Sequence, residues 1–175
     1  MKTVAICFVC LGNICRSPTA EGVMRHMLAE AKLADLVIVD SAGTGDWHIG
    51  EAPDERAQRA ARSRGYDLST FRGRQIRAID FERFDLIIAM DDKNVAALRQ
   101  VCPPAQRDKI RLLMDFATGA VASGAIDVEK GAPGFDTREV VDPYFGGGDG
   151  FETVLDQCEA ACRGLIAVLR PQLTL

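Results

Sequence analysis

The hydrophobic pattern switches between two periods along the chain. Val4-Ala5-Ile6-Cys7-Phe8-Val9 is an unbroken apolar run, which reads as a strand covered on both faces in a parallel sheet. After it, Ala20, Val23, Met24, Met27, Leu28 and Ala31 recur three and four residues apart, which predicts a helix. Apolar runs at 36–39, 84–90 and 110–114 predict three further strands, the second centred on Leu86-Ile87-Ile88. Helices are predicted over 53–64, stopped by Gly65, and over 93–101, stopped by Pro103-Pro104. A last helix is marked by one apolar stripe from Phe151 through Val154, Leu155, Cys158, Ala161, Cys162, Leu165 and Ile166 to Leu169, which reads Cys158 and Cys162 as core. Segment 115–141, rich in Gly and Ala, is predicted to be a long loop, a length usually associated with function. Strands alternating with helices predict an α/β fold, with a doubly wound four-stranded parallel sheet and helices on both faces. The whole of 1–175 reads as one domain.

Composition narrows the class. A chain of 175 residues can bury roughly 70% of its unfolded surface and needs no disulfide to fold. Lys and Arg number 21 against 25 Asp and Glu, a net charge of −4. With no long run of one sign, neither nucleic acid nor an anionic membrane is expected as a partner. Met1-Lys2-Thr3 leads straight into the first strand, and no apolar run approaches the roughly 20 residues that span a bilayer. A cytoplasmic location is therefore expected, with the six cysteines as reduced thiols.

Chemistry concentrates where the first strand meets the first helix. Val9-Cys10-Leu11-Gly12-Asn13-Ile14-Cys15-Arg16-Ser17-Pro18 places five residues between Cys10 and Arg16-Ser17, a spacing that can wrap backbone around a phosphate. Successive N–H groups in such a loop form an anion nest at the helix N-terminus. The same field stabilises a thiolate, the nucleophilic form of cysteine. Arg16 supplies a planar fork that grips two phosphoryl oxygens and never loses its charge. Gly12 and Asn13 tolerate unusual backbone angles, and Pro18 suits a first helical turn. By strand order Cys10, Ser41, Asp91 and Asp142 all fall at the carboxyl edge of the sheet, where ligands of doubly wound folds bind.

This signature resembles the phosphate-binding loop of the low-molecular-weight protein tyrosine phosphatases. The resemblance continues through Asp40-Ser41-Ala42-Gly43-Thr44, Trp47, Gly50 with Pro53-Asp54, Arg72-Gly73-Arg74-Gln75, Met90-Asp91 with Asn94, and Asp142-Pro143-Tyr144. It implies a flavodoxin-like strand order and metal-independent hydrolysis of phosphotyrosine through a phosphocysteine on Cys10, with no cofactor. It also implies Arg16 as phosphoryl holder, Asp142 as general acid, and Asn13 and Ser17 as braces of a loop made by Leu11, Gly12, Asn13, Ile14, Cys15 and Ser17. Ser41 and Asp91 are expected to support the site. A tyrosine-phosphorylated protein is the implied partner, and a monomer, or at most a weak dimer, the expected state. Cys15 is implied to protect Cys10 by capturing its sulfenic acid as a disulfide; otherwise it fills space beneath the loop.

Trp47 and Tyr144 are candidates for the walls of an apolar slot, with Leu11 and Ile14 at its base, although a lone tryptophan serves packing equally well. His48 reads as a surface-loop residue. Cys7 and Cys10 form a Cys-x-x-Cys, but three apart on a strand they face opposite sides, which disfavours a metal site. Three positions depart from the family pattern or blur it: Phe71, where a histidine is often found, Phe145, where a second tyrosine is common, and the loop ahead of Asp142. The first puts one hydrogen bond bracing Asn13 and Ser17 in question. An arsenate reductase of the same fold needs further thiols near the end of the third strand, and 81–92 contain none. A phosphoarginine phosphatase is nearer, but related enzymes of that kind tend to carry threonine at the position of Ile14. A non-catalytic phosphotyrosine-binding module has no use for Cys10 and Asp142 together.

Overall fold

The structure, a computed structural model, describes residues 2–117, 138–146 and 149–173. Strands β1 (Val4–Cys10), β2 (Val37–Gly43), β3 (Leu86–Ala89) and β4 (Ile110–Leu112) form one sheet in the order β2-β1-β3-β4. Every pairing is parallel, and the order is the flavodoxin-like one the resemblance implies.

Alternation along β1 divides the core. Ile6, Phe8 and Cys10 face α1 (Arg16–Glu30) and α6 (Asp149–Leu173), together with Val23, Met24 and Leu155. Ala5, Cys7 and Val9 face the other layer, α3 (Asp80–Arg83) and α4 (Asp92–Val101), where Phe81 and Leu98 pack. Cys7 and Cys10 therefore lie on opposite sides of the sheet, as the strand period requires. Cys158 and Cys162 are fully buried in the α6 stripe. Helices α2 (Glu55–Ser63) and α5 (Leu113–Ala117) complete the described elements with a 3₁₀ turn at Pro104–Lys109.

Several boundaries differ from the pattern. β2 runs on through Asp40-Ser41-Ala42-Gly43, because pairing with β1 continues to Cys10↔Gly43 although the hydrophobic run has ended. Ser41 is thus a strand residue, not part of the following loop. β3 is shorter than 84–90, since only Leu86–Ala89 finds partners on β1. Residues 113 and 114 leave β4 and open α5, so Asp115, expected to start a long loop, is helical. The remainder of that loop reading, 118–137, lies outside the described residues. Among the described residues no helix is long and apolar enough to cross a membrane.

Candidate active site

Cys10 ends β1 and Arg16 begins α1, and the five residues between them fold back on themselves. Asn13 makes the turn in the left-handed region at φ 58°, a conformation asparagine tolerates better than most residues. The loop's carbonyls are anchored outward: Cys10 O accepts from Thr44 N at 2.9 Å, Leu11 O from Gly45 N at 2.9 Å and Ile14 O from Asp54 N at 2.8 Å. The N–H of a trans peptide points opposite to its C=O, so the amides of Leu11, Gly12 and Cys15 turn to the inner side of the loop. Gly43 makes this packing possible, because a Cβ there would sit 2.8 Å from Leu11 O and 3.2 Å from Asn13 N.

Asn13 is the hub beneath the loop. Its Oδ1 accepts from the Arg74 backbone N–H at 3.0 Å. Its Nδ2 donates to Ser17 Oγ at 2.8 Å and Ser41 Oγ at 3.0 Å. Ser17 Oγ in turn lies 3.0 Å from Cys10 Sγ. The brace thus holds with Phe71 in place of a histidine, through a backbone donor that no side-chain pattern reveals. Arg74 is itself fixed by Asp80 at 3.0 Å and Asp40 at 3.1 Å.

Arg16 is 2% exposed and tied from several directions. Nη1 donates to Asp91 Oδ2 at 2.6 Å and to the Val140 carbonyl at 2.9 Å, while Nη2 lies 3.6 Å from Asp142 Oδ2. Burial works against its charge, but Cys10, Asp91 and Asp142 outweigh it and raise the guanidinium further above its ordinary value. Asp91 also caps α4, accepting from Asn94 N at 2.8 Å, so one carboxylate fixes both helix and arginine. Burial pushes the thiols of Cys7, Cys15, Cys102, Cys158 and Cys162 up, which makes them poor nucleophiles.

A cavity of about 170 Å³ opens above the loop. The loop residues Cys10, Leu11, Gly12, Ile14, Cys15 and Arg16 line it together with Trp47, His48, Asp142, Tyr144 and Phe145. Trp47 is 66% exposed and forms wall, not core. Asp142 is held by a turn in which its Oδ1 accepts from Tyr144 N at 3.1 Å. Arg56 supports that turn: it pairs with Asp54, donates to the Tyr144 carbonyl at 3.2 Å, and lies between the rings of Tyr144 and Phe151.

Every residue singled out in the sequence therefore meets here: Cys10, Arg16 and Asp142, the loop from Leu11 to Ser17, Trp47 and Tyr144, and Ser41 and Asp91 beneath and beside them. Sequence reading missed five others. His48, read as a surface residue, turns its ring over Gly12 and bonds Glu51 at 2.6 Å. Arg56 carries no spacing signal, and Glu21 with Arg25 has only the i,i+4 spacing common to ordinary surface pairs. Arg74 appeared only as part of a motif.

The model of the family described as low molecular weight phosphotyrosine protein phosphatase matches residues 5–174. The chain belongs to this family. A relative from Streptomyces coelicolor, named low molecular weight protein-tyrosine-phosphatase, is 45% identical over 172 residues, 97% of this chain and 96% of the relative. The crystal structure of a protein tyrosine phosphatase from Entamoeba histolytica, with Hepes in its active site, superposes with a TM-score of 0.85 at 39% identity, covering 97% of this chain and 99% of that one. A Drosophila arginine phosphatase superposes with a TM-score of 0.79 at 32% identity over 97% of this chain and 98% of its own. The family's fold thus carries more than one phosphoryl substrate.

Proposed function

We propose that this phosphatase hydrolyses phosphotyrosine in proteins through a phosphocysteine on Cys10. The observation that carries the reading is the single cavity in which Cys10, Arg16 and Asp142, drawn from opposite ends of the chain, meet between aromatic walls. The Cys10 thiolate attacks phosphorus in line with the phenolic oxygen. The loop amides and the Arg16 fork hold the three equatorial oxygens, stabilising charge where it develops. Asp142 protonates the departing phenolate, whose pKa of about 10 makes it a poor leaving group. In the second step the same carboxylate takes a proton from the water that attacks the phosphocysteine.

The test is leaving-group dependence. Asp142→Ala is expected to slow phosphoenzyme formation from phosphotyrosine by about 10²–10⁴-fold and from p-nitrophenyl phosphate far less, since p-nitrophenolate departs without a proton. Equal slowing in single-turnover measurements would show that another group is the acid.

Ring selectivity rests on Ile14, which is 9% exposed at the cavity base, beside the Trp47 and Tyr144 walls. An apolar branched side chain there suits a flat phenyl ring better than a guanidinium. Ile14→Thr is expected to shift the ratio of phosphotyrosine to phosphoarginine hydrolysis toward phosphoarginine by about tenfold, the value of one altered pocket contact. An unchanged ratio would remove Ile14 from the argument.

A further inference from the structure

Glu21 lies on α1 at 4% exposure, and none of the chemistry above uses it. Its two carboxylate oxygens meet two donors. Oε2 accepts from Arg25 Nε at 2.8 Å, and Oε1 from the Ser41 hydroxyl at 2.7 Å. The Arg25 guanidinium also donates to the Val39 carbonyl and lies over the Phe71 ring, 5.9 Å from its centre. Burial pushes Glu21 up, while the bonds from Ser41 and Arg25 favour its charged form.

Proton directions from Glu21 to Cys10 follow from which groups can only donate. The Arg74 backbone N–H has no acceptor character, so the Asn13 amide oxygen faces it and Asn13 Nδ2 faces the two serines. Both hydroxyl oxygens therefore accept from Asn13, and each serine retains one hydrogen to place. Ser41 gives its hydrogen to Glu21. Ser17 directs its own at Cys10 Sγ, 3.0 Å away, the alternative Ala42 carbonyl being 3.4 Å distant. Only a carboxylate serves at position 21, because both neighbours are donors. Glutamine would set its NH₂ against either Arg25 or Ser41. If that NH₂ donated to Ser41 Oγ, it would compete with Asn13 and loosen the amide that also holds Ser17.

We propose that Glu21, paired with Arg25, is a positioning residue for the phosphatase reaction. It accepts the Ser41 hydroxyl and so keeps the Ser41 oxygen free to accept from Asn13, reinforcing the orientation set by the Arg74 N–H that leaves the Ser17 hydroxyl donating to Cys10. The proposal rests on Cys10 as the nucleophile. Other groups facing Cys10 are Arg16, Asp142 and the thiols of Cys15 and Cys158; those facing Glu21 besides its partners include Asp40. A relay and a through-space charge make opposite predictions. Removing a negative charge alone favours the Cys10 thiolate, whereas losing the Ser17 donor disfavours it.

The experiment is the rate at which iodoacetamide inactivates the protein across pH 5 to 8, with inhibition by inorganic phosphate measured in parallel. Glu21→Gln is expected to slow inactivation about tenfold, the effect of losing one hydrogen bond to a charged group, while phosphate still inhibits at wild-type concentrations. Arg25→Lys, which keeps a cation beside the carboxylate, is expected to stay near the wild-type rate, and Arg25→Met to approach Glu21→Gln. In a Ser17→Ala background Glu21→Gln should add no further slowing, because the donor it positions is gone. An unchanged or faster inactivation of Glu21→Gln, or an equal further slowing in the Ser17→Ala background, overturns the proposal. If Glu21→Gln does not fold, Ser41→Ala is measured the same way, with slower inactivation expected and an unchanged rate overturning the proposal. Retention of full wild-type activity after alkylation of Cys10 overturns the nucleophile and the relay together, which separates that failure from failure of the relay alone.

Discussion

Replacing Cys10 with serine is expected to abolish turnover of phosphotyrosine while inorganic phosphate still binds. The substitution leaves the anion-holding parts in place: the loop carbonyls stay tied to Thr44, Gly45 and Asp54, and Arg16 keeps Asp91 and Val140. What it removes is the thiol, and a hydroxyl resists deprotonation far more than a thiol does. Loss of a nucleophile costs on the order of 10⁵-fold or more in kcat. Steady-state hydrolysis and calorimetric titration with phosphate, run on one preparation, check both halves. Measurable turnover by the serine variant, free of contaminating activity, would end the assignment of Cys10.

Arg16→Lys is expected to be nearly as damaging, a loss of about 10²–10³-fold in kcat/KM, comparable to removing one charge-stabilising donor in other enzymes. Lysine keeps the charge but not the fork. Arg16 must satisfy Asp91 and the Val140 carbonyl through Nη1 while presenting the rest of its plane to the cavity. An ammonium is a point charge with a shorter reach, and cannot do both. Kinetics with p-nitrophenyl phosphate check this without involving the general acid. A near-wild-type kcat/KM would make Arg16 a structural tie between α1, Asp91 and the segment before Asp142.

The two outcomes rest on features of unequal visibility in the sequence. The loop was legible because its chemistry is local: strand, Gly12-Asn13, Arg16-Ser17 and Pro18 occupy ten consecutive residues, and each has a physical reason to stand where it does. The sheet was legible because buried parallel strands leave apolar runs, as in Val4 to Val9. β2 was read short at Val39 because its continuation through Asp40 and Ser41 is polar, and pairing to β1, not hydrophobicity, extends it to Gly43. β4 was read long because Leu113 and Met114 are equally apolar in a strand or a buried helix. Strand order places Asp142 at the carboxyl edge of the sheet, but its role as general acid comes from the family pattern, since an Asp-Pro pair by itself is an ordinary turn opener.

What could not be read are contacts across long sequence separations that use backbone groups or charges at common spacings. The Arg74 N–H that orients Asn13 is 61 residues away and carries no side-chain signature. The Arg56 strap to the Tyr144 carbonyl spans 88 residues. Glu21 and Arg25 are separated by one helical turn, a spacing that normally marks an exposed pair. Only the burial of Glu21 against Ser41 distinguishes them.

The central claim is a covalent phosphocysteine on Cys10, and it is tested most directly by trapping it in Asp142→Ala. With p-nitrophenyl phosphate the first step needs no proton donor, so it proceeds, whereas the second step loses the carboxylate that activates water. Phosphoenzyme should therefore accumulate. The expected result is a burst of p-nitrophenolate close to one equivalent per protein molecule, followed by slow turnover, with phosphate recovered on the peptide containing Cys10 after rapid quenching. Continued turnover with no phosphate on Cys10, or phosphate mapped to a different side chain, would contradict the account.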